Sequence, residues 1–270
     1  MIAFTKAHAY GNDFLYVLQD AIPSKDEGRV AALARILCDR HTGIGADGLI
    51  LFTPFDGGAT MRLLNADGSR SEVSGNGVRG LAAILLRDDD RDRREVVIHT
   101  EAGDKRLVRT AVDGSRQTFR AEMGVPRDLR QETAEVLDEQ LTLSIMDFGN
   151  PQCVVLGKLP DAARFERLGP ALERHSLFPA RTNVEFAAVE APDRIRILIW
   201  ERGVGPTQSS GTGSCASLIA AAAFGGAARD ADVVAPGGVQ RVDWRDDNVY
   251  LTGWAEVIVD GTWRGAIPAE

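Results

Sequence analysis

The sequence is poor in the residues that mark several common protein classes. Cysteine occurs only at Cys38, Cys153 and Cys215, an odd number without CxxC spacing, which argues against a disulfide frame or a zinc site. Four histidines (His8, His41, His99, His175) show no metal-ligand spacing, so no metal site is expected. Basic residues are outnumbered, 31 Lys and Arg against 39 Asp and Glu. Both signs are scattered along the chain, so nucleic acid is not an expected partner. The opening MIAFTKAHAYGNDF lacks a basic flank followed by an apolar run, and the longest stretch of small apolar residues, 216–228, is too short and too glycine-interrupted to span a bilayer. A cytoplasmic protein without membrane association is therefore expected. Aromatics are only 6% of the chain, and no interface stands out, so a homodimer stays open.

What is present is an internal repeat. GNDFLYVL (residues 11–18) faces GNPQCVVL (149–156), 138 positions later, and SGNG (74–77) faces SGTG (210–213), 136 positions later. A run of helix formers follows each SGxG, VRGLAAILLR (78–87) and SCASLIAAAAF (214–224), the second stopped by Gly225 and Gly226. A short apolar strand precedes each, at 61–64 and 195–200, and further strands are expected at 95–100, 106–111, 141–147, 249–252 and 255–259. The mixed-charge run 88–95 reads as a solvated loop. The polar stretch 124–140 reads as the crossing between halves. At 270 residues and 44% apolar content the chain is long enough for two domains.

A glycine-flanked turn that opens a helix leaves backbone N–H groups pointing outward at the positive end of the helix dipole, which makes an anion cradle. Two such cradles facing one ligand would place Ser74 and Ser210 on either side of it. The plainer reading is a helix start, with serine as N-cap. The loops before the two turns differ in chemistry: NADGS (65–69) against ERGVG (201–205). An amide opposed to a carboxylate and a guanidinium suits a zwitterion, because arginine pairs a carboxylate and glutamate pairs an ammonium.

With GNDF, CDRHTGIGADGL (38–49), NADGS, GNGVR (75–79), GNP (149–151), RTNVEF (181–186), ERGVG and GTGSCAS (211–217) in this order, the chain resembles the diaminopimelate epimerase family over about four fifths of its length. The resemblance implies an α/β (α+β) protein of two pseudo-symmetric domains, each a β-barrel-like sheet around a central helix. The domains would be 1–122 and 123–257, with a last strand, about 258–270, returning to the first. It implies a cofactor-independent isomerase acting on a small amino acid, in which Asn65, Asn183, Glu201 and Arg202 contact the substrate's polar groups and Asn12 and Asn150 line the same pocket. The amides after the two turns, at Gly75, Asn76, Gly211 and Thr212, would hold the carboxylate at the reacting carbon.

Four positions depart from the family pattern. The two catalytic cysteines are Ser74 and Ser210, the histidine after GNP is Gln152, and the glutamate after ERGVG is Pro206. A thiol titrates near pH 8.5 and lower at a helix N-terminus, whereas a serine hydroxyl needs a neighbouring base to give up its proton. The expectation is a divergent isomerase with altered acid–base chemistry at Ser74, Ser210, Gln152 and Glu201. The alternative is an inactive binder of a diaminopimelate-like amino acid.

Overall fold

A computed structural model describes residues 1–22, 26–89, 91, 93–246 and 248–265. The chain divides into two units, Met1–Ala121 with the segment from Trp254 onward, and Glu122–Gly253. Crossings were expected after 122 and 257; in the structure they follow 121 and 253.

The elements run β1 (Ile2–Ala9), β2 (Asn12–Leu18), α1 (Glu27–Cys38), β3 (Gly48–Phe55), β4 (Gly58–Asn65), β5 (Arg70–Ser71), α2 (Gly75–Leu85), β6 (Arg94–Thr100), β7 (Gly103–Asp113) and β8 (Arg116–Gly124). There follow β9 (Arg127–Val136), β10 (Glu139–Asp147), β11 (Pro151–Leu156), α3 (Ala162–Glu173), β12 (Asn183–Ala191), β13 (Arg194–Glu201), β14 (Gly205–Thr207), α4 (Gly211–Phe224), β15 (Asp230–Ala235), β16 (Gly238–Trp244) and β17 (Val249–Trp263). From β2 to β8 and from β11 to β17 the order of strands and helices is the same.

In the first unit β1, β2, β3, β4, β6, β7 and β8 pair in turn, and β17 returns between β8 and β1 to close eight strands into a barrel. In the second, β9, β10, β11, β12, β13, β15, β16 and β17 pair in turn. Each unit has two parallel joins, β2/β3 and β4/β6 or β11/β12 and β13/β15. Parallel neighbours need a crossover, and α1, α2, α3 and α4 each supply one.

Strand alternation decides which helix each residue meets. On β2, Phe14 and Tyr16 share a core with α2 residues Val78, Leu81 and Ala82, while Leu15 and Val17 pack with Val30, Leu33 and Leu37 of α1. In the second unit Val154 and Ala187 pack with α4, and Cys153, Val184 and Phe186 with Leu168 and Leu172 of α3. Helix α4 is apolar on all sides and buried along most of its length, as a helix wrapped by a sheet must be.

Several expectations change. The stretch 124–140 is not a loose crossing: it forms β9 and the start of β10, with Ala134 and Val136 turned inward between polar neighbours. The strands expected at 249–252 and 255–259 are one continuous strand, β17. Of the charge run 88–95, residues 90 and 92 lie outside the described residues, and Arg94 and Glu95 already belong to β6. Its other end is tied down by buried Arg109, which donates to the carbonyls of Leu86 (2.7 Å), Asp89 (2.5 Å) and Arg91 (2.6 Å). Helices α1 and α3 were not foreseen.

Candidate active site

In the first unit Ser74 is the N-cap of α2. Its backbone is extended (φ −128°, ψ 123°), and its Oγ accepts from Gly77 N at 3.2 Å. The first intrahelical bond, Val78 N to Ser74 O at 2.9 Å, comes after Gly75 and Asn76, so their amides precede the helical ladder. Asn76 Nδ2 donates to Asn12 Oδ1 at 3.4 Å, and Asn12 Nδ2 donates to Asp47 Oδ2 at 2.9 Å. Asp47 is fixed in turn by Arg40 (2.8 Å), which also bonds Asp13 (2.7 Å), and Lys6 reaches Asp13 at 2.8 Å. Burial works to raise the Asp13 carboxyl, but its bonds to Arg40 and Lys6 prevail and hold it below the usual carboxylate range. Asn65, at the end of β4, donates to Ser69 Oγ at 2.9 Å across the NADGS turn.

Ser210 caps α4 in the same way (φ −136°, ψ 128°), accepting from Gly213 N at 3.1 Å. Here the ladder opens with Ser214 N to Ser210 O at 3.0 Å, after Gly211 and Thr212. Below the turn lie two fully buried polar side chains, Gln152 and Glu185. An amide's two ends are assigned by their neighbours. The orientation that serves both turns the Gln152 nitrogen to Glu185 Oε1 (3.2 Å) and Oε2 (3.3 Å) and its oxygen to Asn183 Nδ2 (3.1 Å) and Thr212 Oγ1 (3.3 Å), with the Asn150 side chain 2.6 Å away. Burial raises the Glu185 carboxyl well above its ordinary range, and the nearby charge of Glu201 raises it further.

The ERGVG loop is held from behind. Asn183 Oδ1 accepts from Arg202 N at 2.9 Å, and Arg202 Nη1 donates to the Ala180 carbonyl at 3.3 Å. Buried Glu173 of α3 accepts from Gly203 N (3.0 Å) and Trp200 Nε1 (2.9 Å).

Within the first unit the structure thus joins Asn12 and Asn76 and puts Gly75 beside Ser74. In the second it gathers Asn150, Gln152, Asn183 and Thr212, with Arg202 joined to Asn183 through its backbone. Sequence reasoning missed Glu185, Glu173 and the Asp13–Arg40–Asp47 group. The signal for Glu185 was a single carboxylate inside the apolar strand NVEFAAV. A cavity of about 490 Å³ in the second unit, with Lys158, Phe224 and Gly225 in its lining, lies at the opposite end of α4 and contains none of the expected residues. Among the described residues no cluster of His, Cys, Asp and Glu could hold a metal, and no helix is long and apolar enough to cross a membrane.

The family model for diaminopimelate epimerase matches residues 4–128 and 144–258. A diaminopimelate epimerase of Desulforudis audaxviator is 42% identical, covering 96% of this chain and 98% of its own. Among solved structures, a probable proline racemase from Agrobacterium radiobacter with bound carbonate superposes with a TM-score of 0.74 at 18% identity, over 97% of this chain and 93% of its own. A hydroxyproline epimerase from Agrobacterium vitis with bound trans-4-hydroxy-L-proline gives a TM-score of 0.67 at 17% identity, over 96% and 91%.

Proposed function

We propose a function from one premise: the chain belongs to the diaminopimelate epimerase family. Its reaction is a cofactor-independent proton shift on diaminopimelate or a related amino acid, with Ser74 and Ser210 nearest the reacting carbon. The observation that carries this reading is that both serines cap a helix with the same geometry, although the loops around them differ. Bound trans-4-hydroxy-L-proline in the Agrobacterium vitis epimerase supports an amino-acid ligand for this fold.

The chemistry is altered from a two-thiol reaction. Each serine Oγ accepts a backbone N–H, at 3.2 Å for Ser74 and 3.1 Å for Ser210, which leaves its O–H as a donor to an oxygen of the ligand. A hydroxyl in that role stabilises a carboxylate, or the negative charge that grows on it when the α-proton leaves. It is a poor base for the proton itself. Gln152, in place of the family histidine, holds its neighbours by hydrogen bonds and takes up no proton. Asn65, Asn183, Glu201 and Arg202 receive the distal polar groups, and Asn12 and Asn150 contribute amides.

The test is proton NMR of the purified protein with L,L-diaminopimelate in deuterated buffer, following the α-hydrogen. The Ser74→Cys/Ser210→Cys/Gln152→His variant serves as reference. Exchange by the native chain establishes that it removes the α-proton. Exchange by the variant alone leaves the ligand assignment standing and removes the native reaction, which is the inactive-binder reading. Exchange by neither overturns the assignment to diaminopimelate.

A further inference from the structure

The turns that open α2 and α4 rest on different floors. A Cβ built on Gly77 would meet Ile50 Cδ1 at 2.7 Å, Ser74 Cβ at 3.4 Å and Phe14 Cε2 at 3.7 Å. A Cβ built on Gly213 would meet Glu185 Oε1 at 2.4 Å and Ser210 Cβ at 3.1 Å. The carboxylate oxygen and the serine Cβ are therefore no farther apart than the sum of those two distances.

The strand register makes the contrast one of equivalent positions. Phe14 pairs with Gly48, and Tyr16 with Ile50; Gln152 pairs with Asn183, and Val154 with Glu185. Phe14 thus corresponds to Gln152 and Ile50 to Glu185. Alternation sends Glu185 toward α4, while its neighbours Val184 and Phe186 join the core with α3.

Resting on the functional reading above, we propose that Glu185 is a positioning residue of the Ser210 half-site, with no equivalent on the Ser74 side. It fixes the Gln152 amide toward Thr212 and Asn183, and its charge state sets whether the α4 turn accepts a carboxylate. With Glu185 neutral, the amides of Gly211 and Thr212 and the helix dipole present a positive face to the ligand. With Glu185 ionised, a negative charge lies directly beneath that face in a desolvated setting, where repulsion between like charges is large. The titratable groups electrically coupled to Glu185 are Glu201 of β13 and, on the opposite face of the sheet, Cys153 of β11, which is itself pushed up by burial and then by Glu185; α4, packed against Glu185, carries the buried Cys215. Helix α4 brings no acidic residue in its first turn. Directly beneath the α2 turn lie Phe14 and Ile50, which cannot change charge, so that turn has no counterpart to the Glu185 effect.

The test uses the full chain as wild type and as Glu185→Gln, which keeps the shape and removes the titration. Calorimetry with L,L-diaminopimelate across pH 5 to 9 is expected to show wild-type affinity falling at least tenfold relative to Glu185→Gln as Glu185 ionises. The side-chain amide NMR signals of Gln152 are expected to shift over the same pH range in the wild type only. Parallel affinity curves overturn the charge effect, and unmoved amide signals overturn the hold on Gln152. If L,L-diaminopimelate binds neither form at any pH, the charge effect falls together with the functional reading, while the amide signals still decide the positioning role by themselves. Should Glu185→Gln fold poorly, the coupling between Gln152 and Glu185 is read instead from Gln152→Leu, which is expected to leave a pH-dependent affinity with a displaced midpoint; an unchanged midpoint overturns the coupling.

Discussion

The two units share a frame and differ in its filling. Both set a serine N-cap over a glycine turn, and both wrap the helix that follows in strands of the same order. In the first unit the core-facing strand position carries Tyr16, whose hydroxyl donates to Gly77 O at 3.0 Å, and the helix opposite carries Gly80. The equivalents in the second are Val154 and Ala216. Volume has been exchanged between strand and helix while their sum stays nearly level, as close packing requires. Charge has not been kept level in this way: Phe14 and Ile50 became Gln152 and Glu185, and Asp13 became Pro151. Packing therefore constrains these positions in pairs, whereas polarity beneath each turn is free to follow the chemistry of its own half.

The largest effect that would break this comparison comes from importing one half of the volume exchange without the other. A Cβ on Gly80 would lie 2.0 Å from Tyr16 Oη. Gly80→Ala is expected to cost about 2 kcal/mol by overpacking, even after a gain of about 1 kcal/mol in helix propensity. Tyr16→Val alone should cost about 3 kcal/mol as a large-to-small change. The double variant reproduces the second unit's pair and should cost little more than Tyr16→Val alone in urea denaturation. Additive costs would mean that the two positions are not coupled and that the exchange is a coincidence.

A smaller effect separates the units by pH. Asp13 is held below its ordinary range in the folded state, so its contribution is present above the unfolded value, about 3.9, and disappears as pH falls through the folded one. Glu185 is raised, so its contribution is full below the unfolded value, about 4.3, and is lost as pH climbs through the folded one. Asp13→Asn should cost about 1.5 kcal/mol at pH 7, the scale of hydrogen bonds to a charged group, and much less at pH 3. Glu185→Gln should gain on the wild type as pH rises. Thermal unfolding of both variants against pH should give slopes of opposite sign, and slopes of the same sign would contradict the assignment of either carboxyl.

The frame was readable in the sequence because it is written in local signals. SGNG and SGTG, each followed by an apolar run, mark two capped helices, and GNDF against GNPQ marks the strands that share their register. The partners of those signals were not readable. Arg109 sits in a strand, and nothing local says that it anchors the carbonyls of a loop 20 residues earlier. Segment 124–140 looked like a crossing because an outer strand keeps only alternate residues apolar, and Ala134 and Val136 are a faint stripe among charges. Glu185 was visible as a letter inside RTNVEF, but its meaning depends on parallel pairing with β11, a contact more than 30 residues distant. Helices α1 and α3 pack on the outer face of their sheets, and each is announced only by a single aspartate cap, Asp26 or Asp161, before a mixed sequence.

The smallest effect is the sharpest test of whether the two caps differ only in what lies beneath them. Ser74→Ala and Ser210→Ala should each cost about 1 kcal/mol, the ordinary value of an N-cap, because the two capping bonds differ by only 0.1 Å. Aspartate also caps, and at a helix N-terminus its charge should add about 0.5 kcal/mol from the dipole. Ser74→Asp should keep that gain at every pH above its own titration, since Phe14 and Ile50 cannot answer it. Ser210→Asp places its carboxylate near Glu185, so the same gain should shrink as pH rises and Glu185 loses its proton. Stability curves for the two aspartate variants should start together near pH 5 and separate above it. Curves that stay together would mean that Glu185 does not sense the α4 cap, and the difference between the two floors would then be one of packing alone.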